Sequence, residues 1–341
     1  MTDNNRSFPA EWEKQDGILL AWPHRHTDWA PMFNEIERCY RDIVKAMANE
    51  PRIIIVAPSG ESVQRAVKGI NADNVTIIEV PTNDTWIRDY GPISVLENGK
   101  PRLLNFTFNA WGMKFAANLD NQVNSTLHRK GLLAAQMEDH LDFVLEGGSI
   151  ESDGNGTVMV TSQCLLSPNR NALSKQEIEQ KLKQCLNARN ILWLDHGFIP
   201  GDDTDSHIDT LARFLPDNAI CHTTAQPNSK EASAMRQMAA QIKSFKNADG
   251  VPYTVFELPA PKNIYDETGQ RLPATYANFL LTPKHVYVPA YGQPRRDSLA
   301  REILEKAARR PAISINCLPL IKQHGSLHCA TMQLTQGTLA P

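Results

Sequence analysis

The sequence predicts an α/β fold in which a strand–strand–helix–strand unit is repeated five times and closed into a ring. Three observations carry this reading. A polar cluster followed by two short strands around a tight turn recurs along the chain. Segments with helical spacing fall between the recurrences. No low-complexity linker divides the sequence. An ordinary α/β fold around one mixed sheet is the competing architecture.

The hairpins come first. Arg88 opens RDYGPISVLENGKPRLLNF, Glu146 opens EGGSIESDGNGTVMVTS, Ser206 opens SHIDTLARFLPDNAICHT and Ala274 opens ATYANFLLTPKHVYVPAYG; a shorter copy, GSLHCATMQLT, begins at Gly325. The connectors ENGK, DGNG, PDNA and TPKH supply Gly, Asn, Asp and Pro, the residues that tolerate the backbone angles of tight turns. Helical patterns lie between. Ile36, Tyr40, Ile43, Val44 and Met47 share one face of a helix over 32–49. Ser174 stands three residues before Glu177, a capping box that opens a helix over 174–187. Segments 230–245 and 298–309 show similar spacing, and Arg52 to Ala57 and Asn190 to Leu194 read as single strands. Asp89, Glu146, His207, Tyr276 and Cys329 occupy comparable points in the five copies, about 60 residues apart. Such units leave exposed ends when stacked, but a ring removes them and gathers the polar hairpin starts on one axis. Residues 1–341 then form a single domain.

Composition narrows the function. The chain has 341 residues, 41% apolar and 21% charged, with a net charge of -3. A core of full size needs no metal or disulfide. The charge balance speaks against a nucleic-acid partner, which calls for a basic excess. Six cysteines without CxxC or other metal-type spacing read as thiols in a reducing compartment. The opening MTDNNRSFPAEWEKQDG has no basic start leading into an apolar core, so no secretory signal is expected. The apolar run Ile18 to Trp22 is too short to cross a bilayer. The expectation is a cytoplasmic protein without a membrane partner, with homo-oligomerisation left open.

Four segments carry chemistry. In His207-Ile208-Asp209, residues two apart on a strand share a face, pairing a base with a carboxylate beside the acidic Asp202, Asp203 and Asp205. A solvated strand edge and a metal site are the alternatives, the latter without further ligand spacing to support it. In QHGSLHCATMQ, Gly325 permits a close backbone approach and Cys329 follows in a strand-like run. His328 would face away from Cys329, leaving His207 as the base for a nucleophilic thiol; an inert buried cysteine is the alternative. NDTWIRDYGP surrounds Trp86 with Asp84, Arg88 and Asp89 and reads by itself as a turn held by an Asp84–Arg88 ion pair. EGGS, from Glu146, reads by itself as a loop. Together these stretches offer a thiol, an imidazole and several carboxylates, the set that hydrolysis of a guanidinium requires.

At these motifs the sequence resembles the agmatine deiminase and bacterial peptidylarginine deiminase family of guanidino-group-modifying enzymes. The resemblance runs from FPAEWEKQDGILLAWP through NDTWIRDYGP, EGGSIESDG and SHID to GSLHC, nearly the whole chain in matching order. It implies a five-bladed α/β propeller (pentein). It also implies Cys329 as nucleophile, His207 as general acid/base, Asp89 and Asp209 as the grip on the guanidinium, Glu146 orienting His207, and Trp86 lining the channel. Asp203 and Asp205 are candidates for substrate contact. Hydrolysis of agmatine to N-carbamoylputrescine and ammonia through a covalent thiouronium is the implied activity, with no cofactor and no metal. Free or peptidyl arginine is the alternative substrate, and a metal-dependent hydrolase or a non-catalytic binding propeller are the alternatives in other classes. The sequence departs from the pattern in two places. Gln323, His324, Gly325, Ser326 and Leu327 stand where GGGNI precedes the His-Cys pair, and Asp205-Ser206 replace the Asn-Gly of a TNGHID block.

Overall fold

Five separate sheets, each assembled from the same strand–strand–helix–strand sequence of elements, make up the fold. The computed structural model describes residues 6–70 and 73–341; residues 1–5, part of the segment read as lacking a signal, lie outside the described residues. The first unit runs through strands Ile93–Glu97 and Lys100–Thr107, helix Val123–Arg129 and strand Gln136–Val144. The second runs through Ile150–Ser152, Thr157–Thr161, helix Lys175–Leu186 and Asn190–Leu194, the third through Ala212–Leu215, Ala219–Thr223, helix Ala232–Ser244 and Thr254–Leu258. The fourth has Leu280–Leu281, Val286–Ala290, helix Pro294–Ala308 and Ala312–Asn316. In each unit the first two strands pair antiparallel and the third joins parallel after the helical crossover. This is what short polar turns and longer helical connections dictate.

The fifth unit closes the ring. Strand Thr331–Thr335 pairs antiparallel with Gln15–Ala21, which continues through helix Phe33–Ala46 to the parallel strand Ile53–Ala57, with Val75–Glu79 added outside. The two ends of the chain therefore share one sheet. The predicted turns form as expected: Asn98 and Gly99 in ENGK, and Asp217 and Asn218 in PDNA, adopt positive φ. Ser174 caps its helix reciprocally with Glu177. The last long helix begins at Pro294, four residues before the periodic segment suggested, because proline suits the first turn.

Strand centres such as Ile53–Ala57, Thr157–Thr161 and Ala219–Thr223 are buried along their whole length, packed between neighbouring units and their own helices. The hairpin starts are stitched into a circle. Arg88 N–H donates to Cys329 O (3.2 Å), Gly148 N–H to Asp89 Oδ1 (2.9 Å) and Phe214 N–H to Glu151 Oε1 (3.2 Å). Thr275 Oγ1 donates to Thr210 O (2.9 Å) and His328 N–H to Asn278 Oδ1 (3.0 Å). Each contact links one unit to the next, so the axis is lined by polar groups that satisfy one another across blades. Among the described residues no helix is long and apolar enough to cross a membrane.

Candidate active site

One turn of helix, Ile87–Tyr90, carries Asp89 to the axis, and a second, Ile208–Leu211, carries Asp209 with His207 at its N-cap. The expectation of a shared strand face for His207 and Asp209 is therefore corrected: a helical turn, not a strand, sets their spacing. Cys329 likewise sits in the turn before Thr331–Thr335 rather than within the strand. Ending each hairpin start in a turn points several successive side chains at the axis, which a strand cannot do. The Asp84–Arg88 ion pair does not form. Arg88 donates to Gln333 Oε1 (2.5 Å) and His328 O (3.3 Å), while Asp84 accepts from Thr85 N–H (2.7 Å).

Asp89, His207 and Asp209 converge on Gly148. A Cβ built there would stand 2.7 Å from His207 Nδ1, 2.8 Å from Asp89 Oδ1 and 3.1 Å from Asp209 Oδ2. Glycine at this position is thus required by space. Gly148→Ala is expected to lower turnover roughly 100-fold or more by displacing these groups, with the circular dichroism spectrum retained. Steady-state kinetics alongside an unfolding curve checks this. Gly325 plays the close-approach part foreseen for it, since a Cβ there would lie 2.3 Å from the Trp86 ring.

Asp89 is held by two donors, Gly148 N–H on Oδ1 and Trp111 Nε1–H on Oδ2 (2.9 Å). His207 Nδ1 lies 3.7 Å from Asp89 Oδ1. Asp209 Oδ2 faces His328 Nδ1 at 2.7 Å, whereas Asp209 Oδ1 and both nitrogens of His207 are buried without a hydrogen-bond partner among the described residues. Asn278 Oδ1 accepts from the Cys329 backbone N–H (3.3 Å) and from its Sγ (3.4 Å). Tyr276, which marked the fourth hairpin start in the sequence, instead donates its hydroxyl to Asp297 Oδ1 (2.6 Å). Glu146 is gripped by Arg170, whose Nε donates to Oε1 (2.8 Å) and Oε2 (3.0 Å). The same guanidinium holds Asp205 Oδ2 (2.6 Å), and Lys114 Nζ reaches Asp205 Oδ1 (3.1 Å).

The cavity above this cluster is lined by Asp28, Asp84, Trp86, Asp89, Trp111, Phe115, Asp203, Thr204, Gln323, His324, Gly325 and Cys329. Of the predicted residues, Cys329, Asp89, Trp86 and Asp203 face it. His207, Asp209 and Glu146 are buried outside the lining, and Asp205 is engaged by Arg170 and Lys114. Trp111, Asn278, Arg170 and His328 were not foreseen as site residues. Trp111 sits on a left-handed turn in which Ala110, Trp111, Gly112 and Met113 all have positive φ, a conformation no periodicity announces. Glu146, Cys164 and His207 offer ligand atoms within 4.8 Å of one another. Both oxygens of Glu146 are taken by the Arg170 guanidinium, whose charge opposes a cation there.

Burial dominates the electrostatics. It lowers the His207 pKa to about 3, leaving the imidazole neutral. Burial, then the charges of Asp209 and Asp89, push the Cys329 thiol well up, so the sulfur keeps its proton unless a cation offsets those charges. Burial and the neighbouring Asp209 and Glu146 also raise Asp89. A cation entering between these groups would oppose the upward bias on Cys329 and Asp89 and reinforce the neutrality of His207.

Residues 7–335 match the family described as Porphyromonas-type peptidyl-arginine deiminase. A Legionella pneumophila (strain Paris) protein named "Putative agmatine deiminase" is 34% identical over 334 residues, spanning 96% of this chain and 94% of that protein. A cysteine-to-serine variant of C. jejuni agmatine deiminase, solved with substrate bound, superposes with a TM-score of 0.92 at 38% identity, covering 99% of this chain and 98% of that one. The crystal structure described as the "Putative Arginine Deiminase" of Porphyromonas gingivalis superposes with a TM-score of 0.93 at 43% identity, covering 98% and 100%.

Proposed function

Since the chain belongs to the Porphyromonas-type peptidyl-arginine deiminase family, we propose that it is an agmatine deiminase, hydrolysing a C–N bond of the guanidinium to give N-carbamoylputrescine and ammonia. The observation that carries the choice of substrate is the lining of the cavity: among the described residues it has four carboxylates, Asp28, Asp84, Asp89 and Asp203, and no lysine or arginine. Agmatine is a dication, with a guanidinium at one end and an ammonium at the other. Asp89 and Asp209 match the planar fork of the first, leaving Asp28, Asp84 and Asp203 for the second. Free arginine would bring an α-carboxylate into the same acid-rich space.

In the proposed mechanism the guanidinium charge offsets the carboxylates that keep Cys329 protonated, and the thiol proton passes to His207 as sulfur attacks the guanidinium carbon. The resulting tetrahedral adduct is neutral. His207 returns the proton to one –NH₂ group, the C–N bond breaks, and ammonia leaves a positively charged thiouronium on Cys329. Water then adds to that carbon as His207 takes its proton. The C–S bond breaks as His207 gives that proton to sulfur, and the protonated urea loses its hydroxyl proton to solvent, so the ureido product is released with thiol and neutral imidazole restored. Arg170 opposes the burial that raises the Glu146 pKa and so favours a negative charge beside His207, which would steady the transient imidazolium. The same reading includes a single catalytic domain, a cytoplasmic location and, as an open possibility in solution, a homo-oligomer.

A second substrate, a peptidyl arginine, draws support from a groove that shares Asp28 and Gln323 with the cavity and continues past Arg25, Arg38 and Lys322. The test is ammonia release from agmatine, free arginine and acetyl-arginine amide side by side. Agmatine is expected to lead arginine by about 100-fold or more in kcat/KM, because facing like charges cost several kcal/mol. Equal or faster turnover of either arginine compound would reassign the substrate.

A further inference from the structure

The FPAEW segment contributes a residue to the axis that the proposed chemistry does not use. Glu11 reaches the ring from the side of a second cavity, which shares no lining residue with the catalytic one and is bordered by Glu11, Arg88, Glu151 and His328. Its Oε2 lies 3.1 Å from His328 Nε2, and its Oε1 accepts from Leu281 N–H at 2.9 Å. His328 Nδ1 lies 2.7 Å from Asp209 Oδ2. Glu11, His328 and Asp209 therefore form one line of contacts, all buried. The line ends on a carboxylate whose other oxygen, Oδ1, has no partner among the described residues.

We propose that Glu11 and His328 are positioning residues: they hold Asp209 Oδ2 from the second cavity's side and thereby present Asp209 Oδ1 to the guanidinium. The proposal rests on the reading of Asp209 as part of the guanidinium grip. Both ring nitrogens of His328 face carboxylate oxygens. An ionised carboxylate only accepts, so the imidazole satisfies both neighbours when each nitrogen carries a proton. Burial and the charges of Arg213 and Arg88 lower the His328 pKa; the ionised Glu11 and the hydrogen bond to Asp209 oppose them, so Glu11 favours the doubly protonated ring and the bond to Asp209.

The groups facing Asp209 are His328, His207, Arg213, Arg88, Asp89 and Cys329. Burial raises its pKa, and the hydrogen bond and charge of His328, with His207 and Arg213, more than offset this, leaving it below the ordinary carboxylate value. The sign follows directly. Removing the His328 donor raises that pKa, so the ionised carboxylate, and with it cation binding, is lost at a higher pH as the solution is acidified.

The experiment measures agmatine binding calorimetrically between pH 5 and 8 in a Cys329→Ala background. It compares that background with the added changes His328→Leu, His328→Asn and Glu11→Gln. His328→Leu is expected to weaken binding at pH 7 roughly tenfold and to move the acid limb up in pH. His328→Asn, whose amide can take the place of Nδ1, should stay within about threefold. Glu11 touches neither Asp209 nor the catalytic cavity, yet Glu11→Gln should move the limb in the same direction. A limb unmoved in Glu11→Gln, or His328→Asn no better than His328→Leu, would overturn the proposal. If His328→Leu fails to fold, the Glu11→Gln comparison decides alone. Binding of acetyl-arginine amide but not agmatine by the background protein would refute the substrate reading while leaving this test intact with that ligand; binding of neither would sink both.

Discussion

Cys329→Ala is expected to cut ammonia release from agmatine by roughly 10⁴- to 10⁶-fold while leaving the unfolding midpoint close to that of the parent protein. The thiol is small and buried, hydrogen-bonded to Asn278, so trimming it removes little packing. Chemically the loss is near total. Cys329 is the one cysteine that lines the cavity among the described residues. Cys164 lies near His207, but it does not line the cavity, so a bound guanidinium is out of its reach. Mass spectrometry of the parent enzyme quenched soon after mixing should find the added mass on the Cys329 peptide alone. Residual turnover in Cys329→Ala above about 1% of the parent rate would rule out the covalent route.

The largest effect on stability is expected at Arg213, in the third unit's first strand. This fully buried guanidinium donates from Nε to Glu151 Oε2 (2.7 Å) and from Nη1 to Phe279 O (2.6 Å), and its Nη2 contacts Glu11 Oε2. It thereby ties the third unit to the second, the fourth and the N-terminal segment. Arg213→Met leaves two buried carboxylates without their counter-charge, and removing one partner from such a cluster costs about 3–5 kcal/mol. Urea unfolding measures this directly. The loss should depend on pH. Burial, opposed by Arg213 and reinforced by Glu11, already raises Glu151 to about 7, and losing Arg213 raises it further. A carboxylate whose folded pKa lies above its unfolded value binds more protons when folded, so stability falls as pH rises. The deficit of Arg213→Met should be greater at pH 8 than at pH 5.5. A deficit below about 1 kcal/mol at both would show that the cluster does not depend on its arginine.

Much of this was legible in the chain. The turns ENGK and PDNA and the Ser174–Glu177 cap lie where local pattern put them, because each rests on contacts within a few residues; the strand Asn190–Leu194 was legible from its apolar run, although its partner Thr157–Thr161 is distant in the chain. The third strands Gln136–Val144, Thr254–Leu258 and Ala312–Asn316 were not legible. Each mixes buried and exposed positions without clean alternation, since its place is set by parallel pairing after a helical crossover. In the site, His207, Asp209 and Cys329 were visible as residue types, but their backbone was misread as strand because one helical turn followed by β-prone residues leaves no period to detect. Asn278 and Trp111 were hidden for a different reason: both act through contacts with residues from other units. The departures from the family pattern acquire a physical meaning only in three dimensions. Asp205, Ser206 and His324 all hold φ between 63° and 66°, where Asn and Gly sit with less strain. Arg170 and Lys114 anchor Asp205 in that conformation.

The pairing of Thr331–Thr335 with Gln15–Ala21 places the ring's seam inside a blade. Closing that blade brings together the most distant parts of the sequence, the kind of contact that loop-closure entropy makes slow to form. The loop bearing the nucleophile directly precedes the closing strand, so a partly folded chain with four finished blades would have its carboxylates gathered but no sulfur in register. Catalytic competence would then arrive in one step with the final clasp, and prying that seam apart would silence the enzyme before the remaining blades melt.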